Sequence, residues 1–202
     1  MEQHGVPNDM IQAFAGVACI LLGPAIQAIY SFLARHSIQP GPILRITLAF
    51  VLCSGAMAYA AGTQQLIYNA GPCYEHPRDC LASDGGQQPN GVSVWIQLPL
   101  YFVLAAAEIF GFVTASQYSY VWAPKDAKTV VQAFTQLTAC LGSALGMAIS
   151  PVSRDPYLVI MYSCLAGTMI LSAGLFWLAF KEYDKREKET PHSYGNIVDG
   201  GE

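Results

Sequence analysis

The one carboxylate or basic side chain inside the five long apolar stretches of this sequence is Glu108, in Tyr101-Phe-Val-Leu-Ala-Ala-Ala-Glu108-Ile-Phe-Gly-Phe-Val113. An acidic group near the centre of a membrane helix costs on the order of 2.5–3.5 kcal/mol, so it must face protein, water or a ligand. Such a group can bind a cation, carry a proton, or do both. Gln97, Tyr101, Ala105, Glu108 and Phe112 share one helical face, whereas Leu98, Phe102, Ile109 and Val113 form an apolar opposite face. This segregation predicts that Glu108 points inward, toward a cavity or a partner helix. A buried Glu kept only for structure is the competing reading. Two further polar sets could contribute to a cavity: Gln12 and Gln27 with Gly16, Cys19, Gly23 and Tyr30, and Gln132, Thr135, Gln136, Thr138 and Ser143.

Other chemistries lack their residues. No Ser or Cys stands in a plausible relation to a His and an acid, because His4, His36, His76 and His192 all lie outside the apolar stretches. No metal-ligand spacing and no phosphate-cradling loop occurs. The expectation is therefore a protein that is not an enzyme, holds no metal and no cofactor, and has no nucleic-acid partner. A lone intramembrane carboxylate amid Gln, Tyr and Thr fits a transport path instead.

The elements that carry these residues follow from composition. Hydrophobic residues make up 53% of the 202 and charged residues only 12%, too oily for an ordinary soluble domain. Five runs are long enough to cross a hydrocarbon core of about 30 Å: 11–33, 46–66, 94–116, 129–150 and 157–180. Gly23-Pro24 lies in the middle of the first, where a kink is expected, and the Thr47, Ser54, Ala58, Ala61 and Gln65 stripe of the second suits close packing. Gly142-Ser-Ala-Leu-Gly146 in the fourth is a small-xxx-small match, weak by itself. Gln39-Pro-Gly-Pro42 marks a turn, and residues 69–93, rich in Gly, Pro, Asn and Asp, read as an irregular mobile loop.

Basic residues fix the orientation expected. Arg35, Arg45, Lys125, Lys128, Lys181, Lys185, Arg186 and Lys188 fall on one side, and only Arg78 and Arg154 on the other. The positive-inside rule then places segment 1–10 outside and the charged tail 181–202 in the cytosol. It also places Cys73 and Cys80 in the external loop, where a Cys73–Cys80 disulfide is expected. Met1–Asp9 has no Lys or Arg and no signal-peptide pattern, and the helix count is odd, so further helices upstream are expected. From Thr190 onward the tail is expected to be disordered.

Several motifs carry a resemblance. Ile96-Gln-Leu-Pro-Leu-Tyr-Phe-Val-Leu-Ala-Ala-Ala-Glu108, Thr114-Ala-Ser-Gln-Tyr-Ser-Tyr120, Ala123-Pro-Lys125 and Val131-Gln-Ala-Phe134 resemble the tenth and eleventh helices of the proton-dependent oligopeptide transporter (POT/PTR) family, in the major facilitator superfamily. Asn8-Asp-Met-Ile-Gln12, Ala58-Tyr-Ala-Ala61, Gly71-Pro-Cys73 and Ser150-Pro-Val152 resemble its fungal members.

The resemblance implies an all-α integral membrane protein whose five helices correspond to helices eight to twelve of a twelve-helix, proton-coupled di- or tripeptide symporter of the plasma membrane. It implies that Glu108 engages the substrate's amino terminus, with Tyr101, Gln12, Gln132 and Gln136 as weaker candidates, and that the proton is the coupling ion. The implied partners are the peptide, the bilayer and a missing N-terminal half. Ala15, Thr135 and Ala115-Ser-Gln117-Tyr118 depart from the family pattern at positions that bear on peptide selectivity. The alternative is a truncated, non-transporting membrane protein that at most modulates an intact transporter.

Overall fold

A computed structural model describes residues 8–36, 41–70, 74 and 92–189. The expected Cys73–Cys80 bridge, most of the 69–93 loop and the tail from Thr190 lie outside the described residues. Every element described is helical: α1 (Asn8–Arg35), α2 (Pro42–Asn69), α3 (Leu98–Glu108), α4 (Thr114–Trp122), α5 (Lys128–Ile149) and α6 (Leu158–Glu189). A 3-10 turn, Val94–Gln97, precedes α3, and a π-helical turn, Ile109–Val113, joins α3 to α4. These pieces make one continuous apolar rod, Val94–Trp122, which with Pro42–Asn69, Lys125–Val152 and Leu158–Tyr183 is long and apolar enough to cross a membrane. In α1 the apolar part is Gly16–Phe32. The five expected spans are thus all helices, mostly longer at their ends than hydropathy alone indicates.

Proline sets two of the starts. Pro42 stands at the first turn of α2 and Pro99 at that of α3, where a missing N–H costs nothing because that group has no helical partner. Gly41 accepts from Arg45 N–H at 3.1 Å and closes the first turn of α2.

α2 is the hub, packing along α6 and against α3, the π turn and α4. The residues that seal these contacts are small: Ala49, Ala56, Ala60 and Ala61 from α2, Ala105 and Ala107 from α3 and Ala173 from α6 are all buried. Small side chains let backbones approach, which is how helices adhere in lipid, where no hydrophobic force drives them together. Polar groups add specific joints. Ser54 Oγ donates to the Ala166 carbonyl of α6 at 2.8 Å, and the Tyr59 hydroxyl donates to the Ile96 carbonyl ahead of α3 at 2.8 Å. The buried Tyr68 hydroxyl donates to Asp155 Oδ1 at 2.5 Å and so pins the α5–α6 connection to the end of α2.

α1 packs on α3, and α5 on α4. Nothing in α5 is buried. At the end of the bundle that carries the α1–α2 and α4–α5 connections, two cations cap tyrosines. The Arg45 guanidinium carbon lies 4.0 Å from the Tyr30 ring centroid, and Lys128 Nζ lies 4.5 Å from that of Tyr120.

Candidate functional site

Glu108 is the last residue of α3 and sits at the mouth of the π turn. A π turn carries an extra residue relative to α-helix and commonly marks a functional position. Its cause here is visible in the packing. Gly111, inside the turn, lies so close to α2 that a Cβ added to it would stand 3.0 Å from Ala49 Cβ. On the α1 side, Phe110 meets the edge of Tyr30, with ring centroids 5.9 Å apart. The turn is wedged between α2 and α1, which places the carboxylate beside α1.

The inward orientation expected for Glu108 is only partly what the fold produces. Ala105, one turn earlier, is buried, but Glu108 itself is open, as is Phe112. Its carboxylate lies at the rim of the α1–α3 contact, where Cys19 Sγ donates to Glu108 Oε2 at 3.8 Å. Among the described residues, that thiol is the one side chain hydrogen-bonded to it. A helical wheel assigns a face correctly but cannot say where a neighbouring helix stops covering it. Here α1 presents Gly16, Cys19 and Gly23, and nothing lies within 4 Å of a Cβ built on either glycine.

The other candidates divide. Tyr101, half-buried, precedes Glu108 on the same face of α3 by two turns, about 10 Å along the axis. The Gln12 side chain lies outside the described residues. Gln132 is engaged by α4: Ser116 Oγ donates to Gln132 Oε1 at 3.1 Å, and Gln132 Nε2 donates to the Ser116 carbonyl at 3.1 Å. A role as a joint between helices was not legible for Gln132 in the sequence, because its partner lies across a turn on another helix. Gln136 is open, one turn further along α5. Since α5 runs back antiparallel from the Ser116–Gln132 joint, Gln136 stands within about one turn of the level of Glu108. Thr135, one of the departures from the family pattern, turns its hydroxyl onto the Val131 carbonyl at 3.1 Å. Among the described residues no hydrogen bond joins Glu108 to Tyr101, Gln132 or Gln136; Glu108 and Tyr101 share one side of α3, whereas Gln132 is held by α4.

A second polar cluster was missed by the sequence reading. Tyr59, Thr63, Gln64, Gln97 and Tyr162 line a cleft of about 50 Å³ between α2, the start of α3 and α6. Its signal was Gln97, which belongs to this cleft as well as to the face of Glu108. Among the described residues no group of His, Cys, Asp and Glu side chains gathers to hold a metal ion.

Comparison with known proteins places this geometry. The model of the POT family, PTR2, matches residues 1–180. The chain is 45% identical over 190 residues to the peptide transporter imqD of Aspergillus flavus, covering 94% of this chain and 47% of that protein. It is 39% identical to the peptide transporter PTR_C of Candidozyma auris, covering 93% of the chain and 32% of the relative. To the peptide transporter PTR2 of Saccharomyces cerevisiae it is 38% identical, covering 94% and 30%. The chain therefore spans about half to a third of the length of these relatives. No solved structure matches it. With a family match running from its first residue to the end of its last apolar stretch, this multi-pass, all-α membrane chain belongs to the POT family.

Proposed function

We propose that this chain forms the substrate-amine side of a proton-coupled di- or tripeptide symporter of the plasma membrane, working with a second set of membrane helices. The observation that carries the reading is Glu108: a carboxylate in a membrane span, open at a rim, whose side-chain partner is no more than a thiol. A carboxylate so placed gains most from a charge-assisted donor, an ammonium at about 2.7–2.9 Å. Tyr101, two turns away, is at the far end of an extended di- or tripeptide, whose backbone spans about 7–10 Å. The proton is the coupling ion in this reading.

The orientation that goes with this reading has the amino terminus outside and the α6 tail in the cytosol. Arg45 and Lys128, held over Tyr30 and Tyr120, then lie at the cytosolic headgroup level, where cations and aromatic rings both favour the interface.

The test fuses this chain behind the amino-terminal part of the Aspergillus flavus relative. The fusion takes up a labelled dipeptide faster when the outside is acidified, and Glu108→Gln lowers that uptake at least about tenfold, the loss of a charge-assisted contact of about 1.5–3 kcal/mol. Unchanged uptake in Glu108→Gln refutes the role of the carboxylate. No uptake by the unaltered fusion at equal surface abundance favours the alternative, a non-transporting membrane protein.

A further inference from the structure

The α1 side of the site is built from a glycine, a cysteine and a glycine. Gly16 and Gly23 flank Cys19 by about one helical turn on either side, and both are open where a side chain would stand. The sulfur of Cys19 is half-exposed and reaches Glu108 Oε2 at 3.8 Å. The thiol therefore stands on α1 opposite the carboxylate, with an uncrowded glycine about one turn to either side of it. A thiol is the weakest hydrogen-bond donor among protein side chains, and an ionised carboxylate is among the best acceptors. The pairing satisfies Glu108 enough to hold its orientation but yields to any better donor. A serine in the same place would bond more strongly and compete harder.

From this geometry we infer that Cys19 is a specificity-determining residue of the site: its thiol occupies Glu108 while the site is empty and is displaced by the incoming ammonium, which then lies against the sulfur. This rests on the reading of Glu108 as the amine site and adds a residue to it. The size of the group at position 19 then limits the substituent next to the substrate's amino nitrogen.

The experiment uses this chain fused behind the amino-terminal part of the Aspergillus flavus relative, reconstituted in liposomes with every cysteine of the fusion except Cys19 replaced by Ser, leaving Cys19 as the single thiol. Alkylation of Cys19 by N-ethylmaleimide is followed by mass spectrometry, and binding of radiolabelled alanyl-alanine is measured on the same vesicles. At about ten times its Kd, alanyl-alanine slows alkylation roughly tenfold. N-acetyl-alanyl-alanine, which has no ammonium, does not, and Glu108→Gln abolishes the protection. In a second variant, Glu108→Cys, mild oxidation by copper-phenanthroline links positions 19 and 108 through a disulfide. Failure of that link overturns the pairing. Binding of alanyl-alanine that depends on Glu108 but leaves Cys19 alkylation unchanged overturns the displacement and leaves the amine site standing. Absence of Glu108-dependent binding, with the disulfide formed, overturns both the displacement and the amine site.

Discussion

Replacing Gly111 with alanine sets two effects of similar size against each other. In an unobstructed helix, glycine to alanine stabilises by about 1 kcal/mol, because alanine loses less backbone freedom on folding. At this position the new methyl stands 3.0 Å from Ala49 Cβ, and Ala49 is 7% exposed, inside the α2 contact. Carbon pairs are comfortable at about 3.5–4.0 Å, so α2 and the π turn must part by roughly 0.5–1 Å. Overpacking of that kind costs about 1–3 kcal/mol, which outweighs the propensity gain. The expected net effect of Gly111→Ala is a loss of up to about 2 kcal/mol. Ala49→Gly removes the obstructing methyl, so the double variant recovers the contact. A double-mutant cycle on the protein in mixed micelles, unfolded with dodecyl sulfate and read by tryptophan fluorescence, gives a coupling of about 1–3 kcal/mol in favour of the pair. The reasoning fails if Gly111→Ala alone stabilises by the full helical increment and the coupling is zero, since the π turn would then not be set by contact with α2.

Other joints predict smaller, separable losses. Tyr68→Phe removes the hydroxyl that holds Asp155 at 2.5 Å, and in the same unfolding assay it costs about 1.5–3 kcal/mol, the range for a bond to an ionised group. Gln132→Leu breaks both bonds to Ser116 and loses about 1 kcal/mol, while Ser116→Ala breaks one and loses about half of that, since membrane hydrogen bonds average about 0.6 kcal/mol. Equal losses in these two variants would show that the Ser116 carbonyl is not part of the joint.

The sequence carried the spans because each is a long apolar run with at most one charge, whereas the starts of α2 and α3 at Pro42 and Leu98 were not those that hydropathy indicated. It carried Glu108 for the same reason: one carboxylate in oil is conspicuous. What it could not carry was set by encounters between distant residues. The π turn depends on Ala49 of α2 meeting Gly111, and neither residue alone has a pattern that announces it. The hub role of α2 rests on alanines, which look the same whether they touch another helix or lipid. Gln132 read as a cavity residue because an amide in a span needs a partner; that the partner is Ser116, and not a ligand, is decided by how the α4–α5 turn closes. The exposure of Glu108 and its meeting with Cys19 likewise appear only once α1 lies beside α3.

The way α5 is attached has a mechanical consequence. Near its first turn it is fastened to α4 by the Gln132–Ser116 pair, and just past its last turn the chain is fastened to α2 by Asp155 on Tyr68, while along its length nothing is buried. A rod clamped at both ends and free between them behaves like a bowstring: sliding or tilting it breaks a clamp, whereas bowing its middle breaks neither. The soft deformation of this chain is therefore a flexing of the middle of α5, which leaves the alanine-packed contacts of α2, α3 and α6 undisturbed.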